Sequence, residues 1–183
     1  LLIKNEFVLN PYDTCVANKI IDGTQCTIVY HVDDLKISHV KESVVQDVLT
    51  FLTKRYGELQ TVTGHSFDYL GMNLDFGTKG VLKVDMKQLV RKLVEETADM
   101  GGEAVTPAAG HLYNTNEQCQ KIDELRAQRF HTVVAKLLFL CKRARPDIQT
   151  TVAFLCMRVK EPDEDDWKKL RRCMAYLRGT QEM

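Results

Sequence analysis

An α+β fold is predicted by three observations on the 183-residue sequence. Strand-like alternating segments crowd the first half, helical periodicity takes over after about Asp123, and a segment rich in Gly, Pro, Asn and Ala lies between them. Residues 14 to 40 give consecutive strands, "TCVANKI", a turn at Asp22-Gly23, then "TQCTIVYHV" and "LKISHV" joined through Asp33 and Asp34. "KESVVQDVLTFLTKRYG" spaces Val44, Val45, Val48, Leu52 and Tyr56 for a helix that stops at Gly57. "ELQTVT", "FDYLGMNLDF" and "GVLKVD" have strand character, with turns at Gly64-His65 and "GTKG", and "MKQLVRKLVEE" returns to helical period.

The loop-like "DMGGEAVTPAAGHLYNTNEQ" places a subdomain boundary near residue 105, dividing the chain into 1–105 and 106–183. Beyond it, "ELRAQRFHTVVAKLLFLCKRA" carries Phe130, Val133, Leu137, Leu138 and Cys141 on one stripe. "RPDIQTTVAFLCMRV" begins with Pro146 in its first turn. "PDEDDWKKLRRCMAYLRG" offers Asp163 as an N-cap with Asp166 three residues on, and its arginines fall toward the other end.

Composition bounds the function. A hydrophobic fraction of 44% with 27% charged residues is that of a globular chain with a core, and no apolar run reaches the ~20 residues of a membrane span, so no membrane partner is expected. The first residues lack a signal-like pattern and read as a chain that begins inside a domain. The six cysteines show neither a CxxC pair nor zinc spacing, which suits reduced thiols and an intracellular location. Formal net charge is +0, but between Arg126 and Lys160 eight basic residues face one acid, Asp147. A polyanion would meet the chain there, and Lys142, Arg143 and Arg145 are the candidate contacts; helix C-termini attract such residues for dipole reasons too.

The chemistry concentrates at "TIVYHVDDLKISHV", residues 27 to 40. Adjacent carboxylates repel, so a pair on a tight turn is either solvated or holds a cation. Uninterrupted strand alternation would put Thr27, Val29, His31 and Asp33 on one face, with Ile28, Tyr30, Val32 and Asp34 on the other.

"TIVYHVDDLKIS", "YLGMNLDFGTKGVLKVDMKQLVRKLV", "TPAAGHL", "RPDI" and "YLRGT", in this order, resemble the reverse transcriptase of copia-type retrotransposons from its active-site hairpin onward. The resemblance implies a partial polymerase palm, an antiparallel sheet with packed helices, followed by a helical thumb and connection. It also implies RNA-directed DNA synthesis by two-metal phosphoryl transfer, with Asp33 and Asp34 as catalytic magnesium ligands and manganese as a possible substitute. His31 would stand where the family has tyrosine, and Tyr69, Leu70 and Gly71 would form the primer-contacting element, although Tyr-Leu pairs also serve as core. The implied partners are an RNA template, a DNA primer, their hybrid, a deoxynucleoside triphosphate and the rest of the retrotransposon polyprotein. Only 32 residues precede Asp33, whereas the family's fingers and first catalytic aspartate lie upstream, so the chain alone is expected to be inactive. A non-catalytic nucleic-acid-binding remnant, or a decayed element, is the alternative.

Overall fold

The computed structural model describes residues 1–183 and is an α+β protein with a four-stranded antiparallel sheet, a three-stranded sheet and five α-helices. It divides into two compact units, Leu1–Leu70 and Gly71–Met183.

In the first unit, β1 (Val8–Leu9), β2 (Val16–Ile21), β3 (Thr24–His31) and β4 (Asp34–Ser38) form the larger sheet in that order. Asp22 and Gly23, at φ +50° and +77°, close the β2–β3 hairpin as the sequence predicts. Such a turn needs left-handed residues at both central positions, which Asp-Gly supplies at little steric cost. One face of the sheet carries Ala17, Cys26, Ile28 and Ile37, which join Val44, Val48 and Leu52 of α1 (Glu42–Tyr56) and Phe7 in a single apolar cluster. The i, i+4, i+8 spacing of those three helical residues gives α1 one buried stripe, and its C-terminus is at Gly57, φ +89°. The opposite face is polar: Gln25 donates to Asn18 and Thr27, and Thr27 donates to Asn18 at 2.8 Å.

Two strand expectations are corrected. "ELQTVT" forms no regular element. "FDYLGMNLDF" is not one strand but two, β5 (Ser66–Tyr69) and β6 (Met72–Asp75), because Leu70 and Gly71 adopt φ +50° and +75° and reverse the chain. With β7 (Lys83–Asp85), which pairs antiparallel to β6, they make the smaller sheet in the order β5-β6-β7.

The second unit is dominated by α2 (Lys87–Glu96), α3 (Glu124–Cys141), α4 (Gln149–Arg158) and α5 (Glu164–Gly179) around one core that includes Leu93, Phe130, Leu137, Leu140, Leu155, Leu170 and Leu177. The segment expected to mark a boundary near residue 105 lies inside this unit: Met100 and Leu112 are buried in the helical core. Arginines of α5 hold it there, since Arg171 donates to the Met100 carbonyl, Arg172 to Thr106, and Arg178 to the Thr97 and Gly102 carbonyls. None of the helices is long and apolar enough to cross a membrane.

Helix α5 begins where the sequence places it. Asp163 accepts from the backbone N–H groups of Asp165 and Asp166, and Asp166 accepts from the N–H of Asp163, a complete capping box. Arg158, at the end of α4, donates to both carboxylates, at 3.0 Å to Asp163 and 2.9 Å to Asp166. Burial works to raise the Asp163 pKa, but the two backbone donors and the Arg158 charge together hold it below the usual carboxylate range. Asp163→Ala removes the cap and leaves Arg158 half-compensated, so it should destabilise the second unit by about 3 kcal/mol. Asp163→Asn keeps a cap acceptor and should cost less; urea unfolding followed by far-UV circular dichroism measures both.

Candidate functional site

The β3–β4 hairpin is closed by only two residues, Val32 and Asp33, between the cross-strand pair His31 and Asp34. Val32 stands at φ +57° and is 90% exposed. A β-branched residue in the left-handed region is strained, by about 1–3 kcal/mol, and glycine is the usual occupant of this place in a two-residue turn.

The turn corrects the face assignment made from alternation alone. Directly paired residues of an antiparallel ladder share a face, so Asp34, not Asp33, lies on the face of His31, with Val29 and Lys36. Asp33 belongs to the turn itself. Both carboxylates and His31 are exposed at the hairpin tip. The core face beneath them carries Ile28 and Ile37, so the acidic tip projects from a rigid, half-buried platform.

Tyr69 joins the same unit through its hydroxyl, which donates to the Val29 carbonyl at 3.4 Å. Burial, reinforced by the Asp34 and Cys15 charges, raises its pKa. Leu70 is half-buried and left-handed at the turn that follows.

Lys36 is a residue that the sequence reading missed. It is half-buried on the Asp34 face, its ammonium donates to Ser38 at 2.7 Å, and burial lowers its pKa. The signal was present in the alternation "DLKIS", which puts Asp34, Lys36 and Ser38 on one side of β4.

In the second unit, Gly71 lies beside the Phe139 ring: a Cβ built there would meet it at 3.8 Å. Phe139 is 36% exposed, and the Arg143 guanidinium stacks on it with 3.9 Å to the ring centroid while donating to its carbonyl. Lys142 is exposed alongside in sequence. An exposed aromatic ring carrying a stacked arginine is a surface on which a nucleobase can stack. Phe139 was invisible in the sequence because it reads as one more apolar residue of α3.

Arg145 is a correction. It is 3% exposed, donates through Nε and Nη2 to the two Asp147 oxygens at 3.0 and 2.7 Å, and donates to the Thr180 carbonyl and hydroxyl. Its donors are committed inside the protein, so it is a structural clamp between the α3–α4 connection and the end of α5 rather than a contact for an external strand. The basic run is likewise largely neutralised internally. Arg126 pairs with Glu164, Arg129 with Asp99, Lys136 with Glu96 and Arg158 with Asp163 and Asp166, which leaves Lys142, Arg143 and Lys160 without an ion pair. Chain position concealed this, because most of the neutralising acids lie outside residues 126 to 160.

For a divalent cation, the hairpin supplies oxygen ligands of the type magnesium takes, but only from two adjacent carboxylates. No group of three His, Cys, Asp or Glu side chains capable of holding a metal converges anywhere in the protein. A magnesium ion on such a pair would keep most of its water shell.

What the fold and site define is thus an α+β protein with a solvent-facing acidic hairpin on one unit and an arginine-capped aromatic surface on a helical other. No family model, curated protein or solved structure matches the chain.

Two outcomes test this geometry. Val32→Asn, which tolerates the left-handed conformation, should stabilise the first unit by about 1 kcal/mol in urea unfolding, and a loss of that size would place the turn elsewhere. Burial tends to raise the Asp147 pKa, but hydrogen bonds from Arg145 and Tyr176 and the Arg145 charge outweigh it and hold that pKa low. The stabilisation is therefore complete above the ordinary carboxylate value of about 3.9 and is lost as pH falls through the depressed one. Arg145→Gln should cost about 3 kcal/mol at neutral pH and flatten this acid limb, read from thermal unfolding across pH 2 to 7.

Proposed function

We infer that this chain is part of the RNA-directed DNA polymerase of a copia-type retrotransposon, running from the active-site hairpin into the thumb and connection, and that it is inactive alone. The observation that carries the reading is the hairpin tip. Two adjacent aspartates stand exposed on a two-residue turn while the sheet below them is packed against α1. Packing of the sheet on α1 holds the register that sets this turn, so the two carboxylates are presented at a fixed point, as metal-assisted chemistry requires.

On this reading, Asp33 and Asp34 are catalytic and hold magnesium or manganese together with a further carboxylate supplied from outside these residues. His31, opposite Asp34, faces the primer end. Tyr69, Leu70 and Gly71 form the primer-contacting element, and Lys142 and Arg143, with Phe139, meet the strand backbone and bases. The substrates are then a deoxynucleoside triphosphate and a DNA primer on an RNA template, inside the cell, with the rest of the polyprotein completing the enzyme. The arginine stacked on an exposed Phe139 favours one alternative, a nucleic-acid-binding remnant without catalysis. Duplex binding by the chain with no extension after completion would select it.

Primer extension is the test. The chain by itself should extend nothing with either metal. Joined to copia-type fingers bearing the first aspartate, it should synthesise DNA, and Asp33→Asn should lower the rate at least about a hundredfold, on the order of 3 kcal/mol. Asp34→Asn should cost less by the family's pattern. Robust synthesis by the Asp33→Asn protein would reduce the pair to a solvated turn.

A further inference from the structure

A pocket of about 200 Å³ opens where the segment 107–112, with Ala108, Ala109 and His111, meets Asp165, Lys168 and Arg172 of α5. The small side chains of Ala108 and Ala109 leave the space, and three cations border it against one carboxylate. Lys169 and Asp165 neutralise each other at 2.8 Å, and the Lys169 ammonium is further fixed by the Asn114 carbonyl at 2.6 Å. That pair is internal: Lys169 is 6% exposed. The charge left over belongs to Lys168 and Arg172. Lys168 is exposed and forms no ion pair. Arg172 donates through Nη2 to Thr106 at 3.0 Å, and its Nε–H is buried without any acceptor. That buried Nε–H is closed to solvent, so Arg172 meets the pocket through the remainder of its guanidinium, which carries a full charge with no carboxylate partner.

We propose that this pocket is a binding site for a phosphate group, with Lys168 and Arg172 as its charged ligands and His111 as a third polar wall. Size decides against a whole nucleotide, since pockets for drug-sized ligands run from about 300 to 1,000 Å³. Shape and charge decide for phosphate over carboxylate. A carboxylate is planar and is satisfied by one guanidinium fork, whereas donors from two helical positions and a facing loop surround a tetrahedral anion with more oxygens. The group is either free or part of a nucleic-acid backbone, and the site does not depend on the polymerase reading.

Amide NMR of the full chain, titrated with sodium phosphate and separately with sodium acetate at matched ionic strength, tests it. Phosphate should shift the Ala108, His111 and Lys168 amides in a saturating manner, and acetate should not. The double substitution Lys168→Gln with Arg172→Gln should weaken binding at least about tenfold. Ala109→Leu, which fills the pocket and changes no charge, should do the same, and it keeps the test decisive if Arg172→Gln loosens the fold. A short single-stranded oligonucleotide that competes with phosphate for these shifts assigns the site to the nucleic-acid backbone, and one that does not assigns it to free phosphate. Equal response to acetate, shifts scattered over all exposed lysines, or unchanged affinity in Ala109→Leu would overturn the proposal.

Discussion

The register of one hairpin governs the chemistry available to this protein. Because only Val32 and Asp33 separate β3 from β4, His31 and Asp34 are forced opposite each other, and every residue of β4 takes its face from that pairing. One extra residue in the turn would exchange the two faces of β4, putting Lys36 into the apolar cluster and Ile37 into water. The burial of Ile28 and Ile37 against α1 resists such a slip, and the left-handed valine is retained at the tip in consequence. Position of the carboxylates and integrity of the core are therefore one constraint.

The helical unit follows a different logic, in which charge is consumed internally. Arg158 joins α4 to the capping box of α5, Arg145 joins the α3–α4 connection to the end of α5, and Arg171, Arg172 and Arg178 tie residues 97 to 106 to the same helix. Helix α5 is thus the hub of polar contacts as well as of apolar ones. Two of the cations that form no ion pair stand in informative places: Arg143 lies on an exposed aromatic ring, and Lys168 borders a small pocket. Unpaired cations in such settings are better candidates for anion recognition than a count along the chain, because paired ones offer little field at the surface.

The sequence by itself determined the elements whose physics is local. Asp22-Gly23 dictates a two-residue turn through its backbone freedom; Val44, Val48 and Leu52 dictate the buried stripe of α1; Asp163 with Asp166 dictates the start of α5 through a reciprocal pair of hydrogen bonds. The Asp33-Asp34 pair was likewise legible as a turn that is either solvated or holds a cation, because apolar surroundings do not hold two adjacent charges. What only the tertiary structure decided is who faces whom. Alternation could not show that the expected β3–β4 turn consists of Val32 and Asp33 rather than the two aspartates, or that the chain reverses at Leu70, since neither Val32 nor Leu70 carries the usual turn chemistry although both adopt positive φ. Nor could it show that Arg145 is buried on Asp147 and Thr180, or that Phe139 is left exposed beneath Arg143. Those outcomes depend on residues up to 35 positions apart being brought into contact, and such pairing leaves no local signature in composition or periodicity.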